Sequence, residues 1–306
     1  MTAPSADPEG GVIAIFGPTG VGKTAVAVEL AERLRARGED PLAISCDSIQ
    51  IYRGLEIISG AVDALGQNRL EHRLIGIAEP REEFSAGAFA ALADAEVARA
   101  LAEGRTPMLV GGTGLYMRAA LAELELRPPV EQPVRAEVEA ELADRGPAAL
   151  HAELPADVAA RVHPNDRKRI GRATELLRSG QDPPERAQNL WTAALRRPTA
   201  LAGLVCDTEE LELRIAERVD AMAAAGAVEE AQRLLSRPIS RTAGAAVGLR
   251  AFAEGDLEGV VREQRRLAKR QLTWLRKMPG LELFEVAGDP FDVAPQRTAI
   301  AIDGWL

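Results

Sequence analysis

Residues 12–24, VIAIFGPTGVGKT, run from five apolar, partly β-branched residues into a loop of three glycines and a lysine, and straight on into TAVAVELAERLRARG (24–38). The first part has the length and composition of a buried strand, and the last has its apolar residues at helical spacing. Between them Gly17, Gly22, Lys23 and Thr24 satisfy G-x-x-x-x-G-K-[ST], with the strand before and the helix after that this pattern requires. Glycines let successive backbone N–H groups converge on one anion, and the helix N-terminus adds its dipole. Lys23 can bridge two phosphates while the Thr24 hydroxyl holds Mg²⁺. Gly17, Thr19, Gly20, Gly22, Lys23 and Thr24 are therefore the candidate phosphate cradle. Loops of this kind usually bind nucleotides such as ATP, and the pattern identifies a diphosphate or triphosphate without saying which bond breaks.

Outward from the cradle, apolar segments alternate with helical ones. LAISC (42–46) delivers Asp47 to a strand's carboxyl end, and HRLIGI (72–77) is expected to be a third strand. A helix over 86–103 stops at Gly104, PMLV (107–110) leads into GGTGLY, and ALAGLVC (200–206) resumes the strands. This alternation predicts an open parallel α/β sheet with its site along the carboxyl edge. From 117 to 189 the pattern changes to consecutive helices punctuated by prolines. The expectation is a P-loop core over 11–116 and 190–306, a helical insertion over 117–189, and a flexible start over 1–10. Three further helices are expected at 208–225, 242–253 and 257–277. Asp207 is a candidate Mg²⁺-holding acid, but Asp-Thr followed by acidic residues reads better as a helix N-cap.

Composition narrows the class. With 306 residues, 46% of them hydrophobic, the chain can bury a large core. A formal net charge of −9 excludes a globally basic nucleic-acid binder, although not a local basic track. No run of eighteen apolar residues and no secretion signal is present, so a cytoplasmic protein without membrane contact is expected. Cys46 and Cys206 are each placed as small buried residues, and His72, His151 and His163 lack metal-ligand spacing. Only four of the 37 basic residues are lysines, and Lys23 is one of them.

Seven segments then add up in order: GPTGVGKT, SCDSIQIYRGLEI, EHRLIGI, EPREEFSAGAF, LVGGTGLYMRAAL, HPNDRKRIGRATELL and LAKRQLTWLR. Together they resemble the tRNA dimethylallyltransferases (tRNA isopentenyltransferases) from about residue 13 to 278. The resemblance implies a P-loop NTPase-like fold and a prenyltransferase reaction. The dimethylallyl group of dimethylallyl diphosphate would pass to N6 of adenosine 37, in the anticodon stem-loop of tRNA, and diphosphate would leave. It further implies Asp47 as the base that takes the N6 proton, Thr113 as the hydroxyl orienting amine and diphosphate, and Arg214 on the diphosphate. Arg218, one helical turn on, reads equally as a second such arginine or as solvated helix charge.

Asp47, Ser48, Ile49 and Gln50 resemble the family's tRNA-contacting strip. Two basic clusters are candidates for the tRNA backbone: Arg167, Lys168, Arg169 and Arg172 in the insertion, and Lys269, Arg270 and Gln271 near the end. Trp274 could stack on a base or be core. Mg²⁺ is the expected cofactor, and no obligate protein partner is evident. Three departures bear on tRNA contact: SGAVD (59–63) where the family usually has a GTAKP-like turn, Gly248-Leu249-Arg250 where it has Gly-Tyr-Arg, and Gln264-Arg265-Arg266 where it has Thr-Arg-Gln.

Overall fold

The computed structural model describes residues 11–184, 190–288 and 294–306. The expected flexible start and residues 185–189 of the expected insertion lie outside these. The chain forms two compact units, one containing residues up to Glu123 and from Ala193 onward, the other Leu124–Thr192.

In chain order the first unit begins with β1 (Val12–Phe16), α1 (Lys23–Ala36), β2 (Pro41–Ser45), α2 (Glu56–Ser59) and α3 (Ala64–Arg69). It continues with β3 (His72–Arg73), α4 (Ala86–Ala102), β4 (Thr106–Gly111) and α5 (Gly114–Leu121). The second unit holds α6 (Gln132–Asp144), α7 (Gly146–Ala152), α8 (Ala156–Ala159) and α9 (Arg167–Arg178). The first unit resumes with β5 (Thr199–Val205), α10 (Thr208–Ala224), α11 (Ala227–Leu235) and α12 (Leu249–Glu254). It ends with α13 (Leu257–Lys277), β6 (Leu281–Glu285) and α14 (Ala294–Trp305).

Six parallel strands form one sheet in the order β3-β2-β4-β1-β5-β6. Buried on both faces, β1 splits its side chains by the two-residue period of a strand. Ile13 and Ile15 pack with Val26, Leu30 and Leu34 of α1. Val12, Ala14 and Phe16 pack with Phe89, Ala93 and Val97 of α4 and Leu275 of α13. Each such aliphatic side chain contributes about 1.5–3 kcal/mol on burial, enough to fix where the strand ends and the glycine loop begins. Because β1 lies between β4 and β5, the loops leaving β1, β2 and β4 meet at the carboxyl edge. That is where an open α/β sheet places its ligand.

Four sequence expectations change. HRLIGI pairs with β2 only at His72 and Arg73. Leu74 then takes a positive φ of 62°, and the Gly76 and Ala78 N–H groups donate to Gln50 and Ile51 instead, so the chain follows that loop out of the sheet. Residues 117–121, expected in the insertion, belong to α5 and the first unit, where Tyr116 stacks on Phe89 of α4 at 4.3 Å. The expected helix over 242–253 breaks at Gly248 (φ 85°), leaving a 3₁₀ turn at Ala243–Ala245 and the short α12. Helix α11, β6 and α14 have no counterpart among the expected elements. Edge strand β6 half-buries Leu281 and Phe284 and exposes Glu282, Leu283 and Glu285, a mixed pattern with little periodic signal.

The second unit has its own small core of Val138, Leu142, Leu150 and Ile170. Asp166 caps α9 by accepting the Arg169 N–H. Among the described residues no helix is long and apolar enough to cross a membrane.

Candidate active site

Gly22, at φ 95°, is the N-cap of α1 and has no side chain to satisfy the helix's first N–H groups, and the first turn carries no acidic residue. Other long helices of this unit are capped: Ser85 on α4, Asp207 on α10 and Asp256 on α13 each accept backbone N–H groups. Asp207 is thus the cap its sequence context indicated, and its Oδ1 takes Glu209 N–H at 2.8 Å. The uncapped N-terminus of α1 opens instead into a cavity of about 410 Å³ lined by Gly20, Gly22, Lys23, Thr24, Asp47, Ile49, Gln50 and Arg218. Unpaired N–H groups and helix dipole make that end a site for an anion.

Lys23 Nζ donates to the Pro18 carbonyl at 2.8 Å, which holds the ammonium over the loop. Burial, and next the charge of Arg218, lower its pKa to about 7, with Asp47 pulling the other way. Arg218 is half-buried, its Nε has no hydrogen-bond partner among the described residues, and burial lowers its pKa while Asp47 opposes this. Lys23 and Arg218 therefore share one cavity with Asp47, while Asp63, the other acid on its wall, caps α3 by accepting the Gly66 N–H. The guanidinium lies so close over Gly60 that any Cβ there would overlap it.

Asp47 follows β2. Its Oδ1 accepts the Ile49 N–H at 2.9 Å and the Gln50 N–H at 3.4 Å, a local turn that orients the carboxyl and leaves Oδ2 without a partner among the described residues. Thr113 stands at the N-cap position of α5 but makes no capping bond. Its Oγ1 accepts the Ser48 N–H at 3.2 Å, and its own N–H donates to the Cys46 carbonyl at 3.4 Å. Thr113 is thus fastened to the Asp47 turn rather than lining the cavity wall. The ends of β2 and β4 approach so closely that a Cβ on Gly111 would lie 2.3 Å from the Cys46 carbonyl oxygen. Burial raises the Cys46 thiol well above its usual range, keeping it an inert neutral group.

Several expected site residues have other partners. Thr19, on the cavity wall, donates its N–H to Gln271 Oε1 (2.7 Å) and its hydroxyl to Gln264 (3.3 Å), so both of its donors are taken by α13. Arg214 lines the cavity but is 5% exposed, and its guanidinium holds Glu210 (2.6 Å) and the Val21, Val286 and Gly288 carbonyls. It braces the loop from behind, and Arg218 is the arginine without such partners. Gln50 accepts from Ser45 Oγ (2.7 Å) and donates to the Ser59 and Gly60 carbonyls, a latch rather than an exposed reading group. Gln271, grouped by sequence with the tRNA contacts, is 6% exposed with both amide ends engaged.

On α13 Lys269 and Arg270 are exposed, as is Arg266. Trp274 packs against Gly114, the core alternative for that residue. In the second unit Arg167 binds the Leu142 carbonyl and Glu139, both at 2.7 Å, and Arg172 binds the Arg127 and Pro128 carbonyls and Glu175. They hold that unit together, while Lys168 and Arg169 remain exposed. Gln264, read from the sequence only as a departure from the family, belongs to the wall of this cavity. Its signal was two glutamines seven residues apart on the apolar seam of α13, where Ala268 and Leu275 are also buried.

The profile of the family described as IPP transferase matches residues 50–278, and that of the isopentenyl transferases matches residues 10–72. A tRNA dimethylallyltransferase of Thiobacillus denitrificans is 40% identical over 91% of this chain and 92% of its own. The full-length tRNA isopentenylpyrophosphate transferase of Bacillus halodurans is 32% identical and superposes with a TM-score of 0.68 over 96% of both chains. A eukaryotic dimethylallyltransferase acting on tRNA is 23% identical and shares the fold, with a TM-score of 0.74 over 96% of this chain and 78% of that one.

Proposed function

The chain belongs to the IPP transferase family, that of the tRNA dimethylallyltransferases, and on that premise we propose that it moves the dimethylallyl group of dimethylallyl diphosphate to N6 of adenosine 37 in tRNA. The observation that carries this reading is the charge arrangement of the cavity. Uncapped N–H groups, Lys23 and Arg218 are gathered around one space, and Asp47 faces them with one oxygen open. This suits a reaction that leaves negative charge on one side and takes up a proton on the other.

In the proposed reaction the bond between the allylic carbon and diphosphate breaks, and the electron pair leaves with diphosphate. The cradle N–H groups, Lys23 and Arg218 stabilise that developing charge, being fixed in place before it appears. The adenine N6 forms the new C–N bond on the opposite side of the carbon and gives its proton to Asp47. Thr113, tied to Ser48, holds the Asp47 turn in register. Mg²⁺ suits the hard oxygens available, with the Thr24 hydroxyl as its protein ligand and Asp47 in reach of the same cavity. When bound it would supply further positive charge to the leaving diphosphate. Ala25, Val28, Ile58 and Val62 give the cavity an apolar flank for five carbons.

An adenine stacked in a loop must turn out to reach Asp47. The exposed Arg266, Lys269 and Arg270 of α13, with Lys168 and Arg169 of α9, are the cations proposed to follow the tRNA backbone. The reaction would take place in the cytoplasm, where tRNA is available. Burying the prenyl tail contributes about 0.8 kcal/mol per carbon, roughly 4 kcal/mol in all, which a polar ribose does not recover. Incubation with labelled dimethylallyl diphosphate and unmodified tRNA, followed by nucleoside analysis, should yield N6-dimethylallyladenosine. Micromolar ATP binding with hydrolysis that Lys23→Ala abolishes would overturn the reading in favour of a kinase.

A further inference from the structure

One side chain on the cavity's wall joins the two halves of this site. Gln271, in the middle of α13, accepts the Thr19 N–H at 2.7 Å through Oε1 and donates from Nε2 to the Gly112 carbonyl at 2.9 Å. Thr19 belongs to the glycine loop, and Gly112 directly precedes Thr113. One donor at one end and one acceptor at the other fix the orientation of the amide, which offers both from separate atoms of one plane. The fit is tight, since a Cβ on Gly112 would lie 2.3 Å from Gln271 Nε2. One helical turn later Trp274 meets Gly114 at 2.3 Å from where its Cβ would be, so α13 lies flush along the whole turn. Gln264 adds a second hold on Thr19, at its hydroxyl.

The polar connections continue past Gly112. Thr113 Oγ1 accepts the Ser48 N–H, and Ser48 follows Asp47. Loop, α13, turn and Asp47 therefore form one hydrogen-bonded chain with Gln271 at its midpoint. A buried amide that satisfies two backbone groups on two different loops sets their separation, because moving either one leaves a buried polar group without a partner.

We infer that Gln271 is a positioning residue for the transfer reaction, holding the diphosphate cradle at a fixed distance from the turn that carries Thr113 and, through Ser48, the base Asp47. The inference rests on the function proposed above. It separates two quantities that ordinary destabilisation would move together. The cradle's anion-binding N–H groups, Lys23 and Arg218 do not pass through Gln271, so diphosphate should bind as before. The alignment of the allylic carbon between diphosphate and Asp47 does depend on it, and a displacement of about an ångström between reacting groups lowers a rate by roughly a hundredfold.

The test uses the full chain with Gln271→Glu, which keeps the acceptor for Thr19 and loses the donor for Gly112, and Gln271→Met, which keeps the volume and loses both. Prenyl transfer to tRNA is followed at saturating substrates, and the Kd of inorganic diphosphate is measured by calorimetry on the same preparations. The expected result is kcat lower by about 10- to 100-fold, with diphosphate Kd and the KM for dimethylallyl diphosphate within about threefold of wild type. Gly112→Ala, whose Cβ would lie 2.3 Å from Gln271 Nε2 and 3.1 Å from the Gly17 carbonyl, forces the same amide away while leaving Gln271 in place, and it stands in for the kcat reading should either glutamine variant fail to fold. Unchanged kcat in a folded variant, or diphosphate affinity falling in step with kcat, overturns the inference. Wild-type protein that makes no prenylated nucleoside overturns the proposed function, and this inference with it. An active wild type with equally active variants overturns the inference alone.

Discussion

Positive charge on the surface of this protein and positive charge in its cavity are organised in opposite ways. Outside, many arginines are answered by carboxylates: Arg262 by Asp256 and Glu258, Arg178 by Glu141 and Glu137, Arg145 by Glu141 and Glu153. Such exposed pairs contribute about 0–1 kcal/mol each and imply no ligand. Inside, the α1 N-terminus, Lys23 and Arg218 converge on a space where Asp47 is the acid that acts on both cations and Asp63, on the same wall, is taken up as the cap of α3. The buried set is the one that requires an anion. Counting arginines along the chain cannot distinguish the two, because the distinction lies in what each guanidinium touches.

The sharpest division is within the cavity itself, between the cations and Asp47. Asp47→Ala should lower kcat by about a hundredfold or more, the usual scale for a positioned base, while diphosphate affinity stays near wild type. Parallel loss of diphosphate affinity would instead make Asp47 a metal ligand and merge the two sides of the site.

Arg214 and Arg218 put a paired and an unpaired guanidinium on one helix, both lining the cavity. Arg218→Ala should weaken diphosphate binding about 10- to 100-fold, the worth of a charge-assisted hydrogen bond, with little effect on Tm. Arg214→Ala should do the reverse, costing about 3 kcal/mol of stability because it strands Glu210 and several carbonyls. Equal effects of the two substitutions on diphosphate affinity would erase the distinction.

The lowered pKa of Lys23 gives a pH signature that no exposed cation shares. Below about pH 7 the ammonium is already charged in the empty cradle, so an anion binds without taking up a proton there. Above pH 7 the empty cradle is increasingly neutral at Lys23, whereas bound diphosphate favours the charged form and raises its pKa. Binding then requires proton uptake, and affinity should fall as pH rises, by up to about tenfold per unit. Calorimetry in buffers of different ionisation enthalpy reads the proton directly. Lys23→Arg, which stays charged throughout, should remove the fall.

The smallest effect concerns the surface. Neutralising Lys269 and Arg270 on α13 should flatten the salt dependence of tRNA binding by roughly 0.7–0.9 log units for each phosphate left without its cation. Neutralising Arg167 and Arg172 should leave that slope unchanged and lower Tm instead, since they hold carbonyls and carboxylates of their own unit. An altered slope from the second pair would show that internal partners do not prevent a side chain from serving tRNA.

The amino-acid sequence by itself determined the cradle, the strand before it, the helix after it, and Asp47 and Thr113 at strand ends. Each of these depends on residues within a few positions of one another, where backbone geometry converts spacing directly into direction. Asp207 was readable as a cap for the same reason. The tertiary structure alone decided that Arg218 rather than Arg214 is free for a ligand, and that Thr19 turns toward α13. It also decided that Gln50 and Gln271 hydrogen-bond groups of other segments, and that LELFE becomes the sheet's edge. Those outcomes depend on partners up to 252 residues away, as between Thr19 and Gln271. A polar side chain's role follows from whichever donor or acceptor folding brings within about 3 Å of it, and spacing along the chain does not encode that.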